Sequence, residues 1–134
     1  MLKAYFFIGL FFLNTHLFGQ VDAVPKTNLD SNMVKQLFFA GLREKMNENY
    51  VVASNNFSKI VSLDPHSDAA YYELANANLR MDKLTEAEIN IKQAIKLSGD
   101  NKWYWILLSE VQKRNNNMSD LIVTLNQLIR IEPE

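Results

Sequence analysis

The chain repeats itself at a spacing of 34 residues, and a repeat of that length leaves few folds open. Leu37, Tyr71 and Trp105 share one register position, Gly41, Ala75 and Ser109 a second, Ala53, Ala87 and Leu121 a third, and Leu63, Leu97 and Ile131 a fourth. The turns keep step, because Asp64-Pro65, Ser98-Gly99 and Glu132-Pro133 fall at the same interval. A unit so short cannot bury a core by itself and must stack on its neighbours. The expected architecture is all-α, a solenoid of three antiparallel helix pairs.

Each copy carries the period of two amphipathic helices. In the second copy Tyr71, Leu74, Ala75, Asn78 and Leu79 recur at steps of three and four, with Asp68 read as the N-cap and a stop near Met81-Asp82. A second helix opens at Thr85, Glu86 and Glu88, where a hydroxyl and carboxylates suit the positive helix end. Its apolar face is Ala87, Ile91, Ala94, Ile95 and Leu97, and Gly99 is expected to close it in the left-handed conformation. The first copy predicts helices over Val34 to Met46 and Val51 to Leu63, stopped by Asp64-Pro65. The third predicts Lys102 to Lys113 and Ser119 to Ile131, with Asn115, Asn116 and Asn117 as the turn. Gly41, Ala75 and Ser109 are the points of close helix approach.

The first residues fall outside this register. Lys3 precedes an apolar run from Ala4 to Leu13 that Asn14, Thr15 and His16 end, which is the size of a signal peptide and short of the roughly 20 residues of a membrane span. The reading is a leader over 1–19, cut at Gly19-Gln20 or, in reserve, after Ala23. A flexible linker over 20–33 follows, then repeats over 34–67, 68–101 and 102–134. The chain is accordingly expected to be exported, periplasmic or secreted, with no stable membrane insertion after cleavage.

The sequence holds 14 basic and 15 acidic side chains. Removing 1–19 takes only Lys3 and leaves 13 against 15, a net charge of -2. Neither the basic footprint of a nucleic-acid binder nor the basic face of a membrane-surface helix is present. With no Cys, disulfides, thiolate metal sites and cysteine nucleophiles are excluded. His66, alone once the leader is gone, follows Pro65 in a turn, with no second imidazole to share a metal and no glycine-flanked nucleophile beside it. The four glycines are dispersed, so no phosphate-cradling loop forms. No catalytic residue, metal ligand or cofactor site is expected.

Together, the 34-residue register, bulky Tyr71, Leu74 and small Ala75, and then Leu84, Ala87, Ile91 and Ala94 resemble the tetratricopeptide repeat family. The resemblance covers 34 to 134. It departs at Glu44, where the family has an aromatic, and at Ile60, Leu121 and Leu128, where it prefers alanine. It implies a right-handed α-solenoid in which the first helix of each pair lines a concave groove that takes extended peptides or short helices. By that resemblance the groove residues are Lys35, Phe38, Leu42 and Lys45, then Tyr72, Asn76 and Arg80, then Trp103, Ile106, Glu110 and Lys113. It also implies that the basic clamp for chaperone tails is missing, since Phe38, Leu42, Glu73 and Leu107 stand where its donors would be.

The expected role is a non-enzymatic scaffold for a protein or peptide in the cell envelope. One alternative is the N-terminal arm of a longer exported protein serving assembly, and another is a small-ligand module, for example for glycans, using Trp103 and Tyr72. In the Trp103-Tyr104-Trp105 run, Trp105 is read as core and Tyr104 as packing toward the previous repeat. The last helix, 119–131, is apolar nearly all round, with Leu121, Ile122, Val123, Leu125, Leu128, Ile129 and Ile131. That marks it for a partner or for self-association.

Overall fold

The computed structural model describes residues 28–131. They form six helices: α1 (Asn28–Met46), α2 (Tyr50–Leu63), α3 (Asp68–Arg80), α4 (Leu84–Leu97), α5 (Lys102–Arg114) and α6 (Met118–Ile131). The leader, its cleavage sites, the first part of the linker and the Glu132-Pro133 turn lie outside the described residues. Each helix packs on the next along the chain, and α3 also touches α5. Short turns within and between the pairs make neighbouring helices antiparallel.

Three expectations about helix starts are corrected. Helix α1 is already formed at Asn28, six residues before Val34, so 28–33 is helix and not flexible linker. The polar residues there argue against burial rather than against helix, and Ser31 and Asn32 are exposed. The N-cap of α3 is Ser67, not Asp68, and that of α4 is Lys83, with Thr85 already inside the helix. Neither cap residue makes a side-chain capping bond.

The left-handed residue is also elsewhere. No described glycine has positive φ, whereas Glu48 (φ 60), Asp82 (φ 60) and Asn116 (φ 56) do, one in the turn of each pair and 34 apart. The amides that follow them, on Asn49, Lys83 and Asn117, donate to the carbonyls of Glu44, Asn78 and Gln112 at 2.8, 2.9 and 2.9 Å. Their own amides donate to Lys45, Leu79 and Lys113 at 3.0, 3.1 and 3.2 Å. This double closure satisfies the last carbonyls of the first helix. Asn49, Lys83 and Asn117 then accept from Ala53, Ala87 and Leu121 at 2.9, 2.9 and 3.1 Å, which starts the second helix. The turn is thus dictated by backbone closure and needs no glycine. Gly99 is free of that task because Leu97 already ends α4 and the Ser98 amide bonds back to Ala94.

Apolar burial falls in two clusters at the joints. The first sets Ala53, Phe57 and Ile60 of α2 against Ala70 and Leu74 of α3, with Val34, Leu37, Phe38 and Leu42 of α1 packed on it. The second joins Ala75 and Leu79 of α3, Ala87, Ile91 and Ala94 of α4, and Tyr104, Leu107, Leu108 and Val111 of α5. Gly41 meets the close-approach expectation, since a Cβ there would lie 2.7 Å from the Phe57 ring. Helix α6 adds no apolar residue to either cluster, and its one buried residue is Thr124.

Candidate peptide-binding face

The first helices of the pairs, α1, α3 and α5, are tied side by side by polar contacts. Lys45 on α1 forms an ion pair with Glu73 on α3 at 2.5 Å, both side chains being largely covered. The Tyr104 hydroxyl on α5 donates to Asp68 Oδ2 on α3 at 2.9 Å, and the Tyr72 and Tyr104 rings lie 5.2 Å apart. Arg114 at the end of α5 reaches back twice, to the Leu79 carbonyl at 3.0 Å and to the Asp82 carboxylate at 2.7 Å.

The Asp68–Tyr104 link has an electrostatic signature. Burial acts to raise the Asp68 carboxyl, but hydrogen bonds from Ser98, Tyr104 and the amides of Ala69 and Asp68 outweigh it and hold the group below its ordinary value. Burial, then the hydrogen bond to the Asp68 carboxylate and its charge, push the Tyr104 phenol up to about 12. At neutral pH the pair is therefore a carboxylate bound to an un-ionised phenol.

The expected groove residues divide into two groups. Phe38 and Leu42 are half-buried on the first cluster, and Phe38 meets Phe57 edge-on at 5.7 Å. Tyr72 is half-buried against the second cluster, Asn76 is half-buried, and Lys45 is engaged by Glu73. By contrast Lys35, Arg80, Trp103, Ile106, Glu110 and Lys113 are exposed. Trp103 presents 59% of its surface, with the Lys102 ammonium 5.5 Å from its ring centroid. The open part of the face is therefore an aromatic and an aliphatic side chain on α5 with charges of both signs around them.

Tyr104 packs toward the preceding repeat as expected, and Trp105 is half-buried on the second cluster with its indole N–H donating to the Gly99 carbonyl at 2.8 Å. The links Lys45–Glu73, Tyr104–Asp68 and Arg114–Leu79 were not found by sequence reasoning. They join positions 28, 36 and 35 residues apart, near the repeat length, and that near-match of acid or carbonyl to donor one repeat on is the signal that would have revealed them. Among the described residues no cluster of His, Asp and Glu could hold a metal, and no helix is long and apolar enough to cross a membrane.

No protein-family model matches the chain. A Saccharomyces cerevisiae protein, "Essential for maintenance of the cell wall protein 1", is 32% identical over 81 residues, 60% of this chain but 9% of that protein. The chain thus spans under a tenth of that relative's length. Among solved structures, MamA is similar with 27% identity and a TM-score of 0.73, covering 78% of this chain and 61% of that one. The Yersinia enterocolitica type III secretion chaperone SycD, in complex with a peptide of the translocator YopD, is 12% identical with a TM-score of 0.75, covering 81% and 82%. The second TPR domain of human RPAP3, in complex with an HSP70 peptide, is 17% identical with a TM-score of 0.73, covering 78% and 87%. By fold the chain is an array of three helix pairs, α1–α2, α3–α4 and α5–α6, of the kind these tetratricopeptide repeat domains share.

Proposed function

We propose that this chain is a non-enzymatic scaffold that holds a peptide or protein segment across α1, α3 and α5, and that it does so after export to a bacterial cell envelope. The observation that carries the binding reading is the exposed Trp103 and Ile106 on α5, on a row of helices held rigid by Lys45–Glu73 and Asp68–Tyr104. An exposed aromatic on a preorganised surface gives large contact area at small entropic cost. Fold neighbours crystallised or studied with bound peptides support the reading. The export reading rests on the Lys3 and Ala4–Leu13 leader pattern alone.

The segment bound is expected to be apolar with few charges rather than an acidic chaperone tail. Phe38 and Leu42 turn into the first cluster, Leu107 is buried, and the Lys45 charge is already matched by Glu73. A glycan site is less well supported, because the Tyr72 ring packs on Tyr104 and leaves Trp103 as a single open ring.

Photo-crosslinking in the native host tests this. A crosslinker at Trp103 or Ile106 is expected to capture one recurrent polypeptide that a crosslinker at the exposed Ile89 of α4 does not. Equal capture from both faces, or none, would count against a groove ligand. N-terminal sequencing of the same protein is expected to start at Gln20 or just after Ala23, and an intact Met1 would contradict export with cleavage.

A further inference from the structure

Three positions on the second helix of each pair show what α6 lacks. Ser54, Glu88 and Ile122 share a register, as do Phe57, Ile91 and Leu125, and Val61, Ile95 and Ile129. In α2 and α4 these positions are buried or half-buried, because the next pair covers them. In α6 they are 61%, 45% and 67% exposed. Met118 is 51% exposed, whereas Leu84 in the same register packs on the second cluster.

Met118, Ile122, Leu125 and Ile129 are spaced four, three and four residues apart. That is the alternation of a helix-pairing seam, and it runs the length of α6 as one continuous stripe. None of the four is charged, and neither are Leu121 and Leu128 beside them. Asp120 and Arg130 fall well round the helix from Leu125, at roughly 140° to either side by the 3.6-residue turn.

We infer that this seam pairs two copies of the chain, α6 against α6, about a two-fold axis. An uncharged apolar stripe is compatible with itself, so no like-charge repulsion opposes the pairing. The other end of the array does not fit it. On α3 and α5 the face toward the previous pair uses Ala70 and Ala77, or Tyr104 and Val111, all buried; on α1 the same face holds Gln36 and Arg43 with Phe39 between them, all exposed. Seating α1 on the seam would bury an amide and a guanidinium against Leu125 and Ile129 without partners. Stacking head to tail is thereby disfavoured, and a closed pair results. Four side chains per copy make a small seam beside the roughly 1,200 Å² of a stable assembly, so the dimer is reversible and forms with rising concentration. The pairing leaves α1, α3 and α5 free and gives two binding faces per particle, and it does not depend on what those faces bind.

Sedimentation velocity of the full chain over a concentration series tests the inference, with Ile122→Lys/Ile129→Lys and Ile122→Glu/Ile129→Glu double variants alongside. All carry the same leader residues, so differences report the seam. Wild type is expected to show monomer and dimer only. Each double variant should keep its helical circular dichroism and raise the dissociation constant at least about tenfold, since like charges then face each other. Mixing the two variants should restore a dimer. A wild type that stays monomeric overturns the inference, and so do species growing past the dimer or variants that associate undiminished.

Discussion

The middle pair, α3–α4, and the last pair, α5–α6, come from the same repeat and end up in different environments. Helix α4 lies between α3 and α5 and buries Ala87, Ile91 and Ala94 fully, whereas α6 has one neighbour pair and buries Thr124 alone. In a stacked array a residue's burial is set by whether a neighbour follows, not by its own hydropathy. Leu125 is more apolar than most of what α4 buries, yet it stays half open because, among the described residues, no helix covers it. The difference separates residues that hold the fold from residues that lie open on its last described helix.

Truncations along one register position give the largest test of that separation. Phe57→Ala should cost about 3 to 5 kcal/mol and Ile91→Ala about 2 to 5, because both leave cavities in covered joints. Leu125→Ala at the same position should cost under about 1 kcal/mol in dilute protein, where the seam is unpaired. Urea denaturation of the three variants decides it, and equal losses at all three would erase the distinction between pairs.

Next in size is Gly41→Ala. The added methyl would meet the Phe57 ring at 2.7 Å, so the ring must shift and the variant should lose about 1 to 3 kcal/mol by overpacking. The matching Ser109→Ala at the open end should stay within about 0.5 kcal/mol, since Ser109 is only half-buried and bonds locally to Ile106. Thermal melts compare the two.

Tyr104→Phe sharpens the comparison at the α3–α5 joint. Losing the bond to Asp68 should cost on the order of 1 kcal/mol at neutral pH. The pH dependence has a definite sign. The Tyr104 phenol sits above its unfolded value, so its contribution is complete below about pH 10 and is lost as pH rises through about 12. The Asp68 carboxyl sits below its unfolded value, so its contribution holds above that value and fades as pH falls past it. Wild type should therefore lose stability at high pH more steeply than Tyr104→Phe, and parallel curves would show that the link carries nothing.

The smallest effect lies in the turns. Glu48 and Asn116 both adopt the left-handed conformation, which costs an ordinary side chain roughly 1 to 2 kcal/mol and asparagine less. Glu48→Gly should stabilise by about 0.5 to 1 kcal/mol, and Asn116→Gly by less. Denaturant midpoints resolve the order.

The helix pairs were legible because the 34-residue period and the three- and four-residue apolar steps are local properties of the chain. The open face of α6 was legible too, since Ile122, Leu125 and Ile129 stand where covered residues stand in α2 and α4. What escaped depends on backbone closure and on helix pairing. The left-handed turn fell on Glu48, Asp82 and Asn116, because the hydrogen-bond geometry of the turn chooses the position and overrides the residue's preference. Asp68 read as a cap because serine and aspartate both suit that place; only the approach of α5 shows that its carboxylate faces Tyr104. The groove assignment followed register alone, which does not reveal that Phe38 leans on Phe57 while Trp103 stays open.

The central claim is that the joints hold the array and the last helix stands open. Native-state hydrogen exchange on dilute, monomeric protein reads this helix by helix. Amides of α3 and α4 should be the slowest to exchange and those of α6 markedly faster, with α5 between them. Protection in α6 equal to that in α4 under the same conditions would contradict the account.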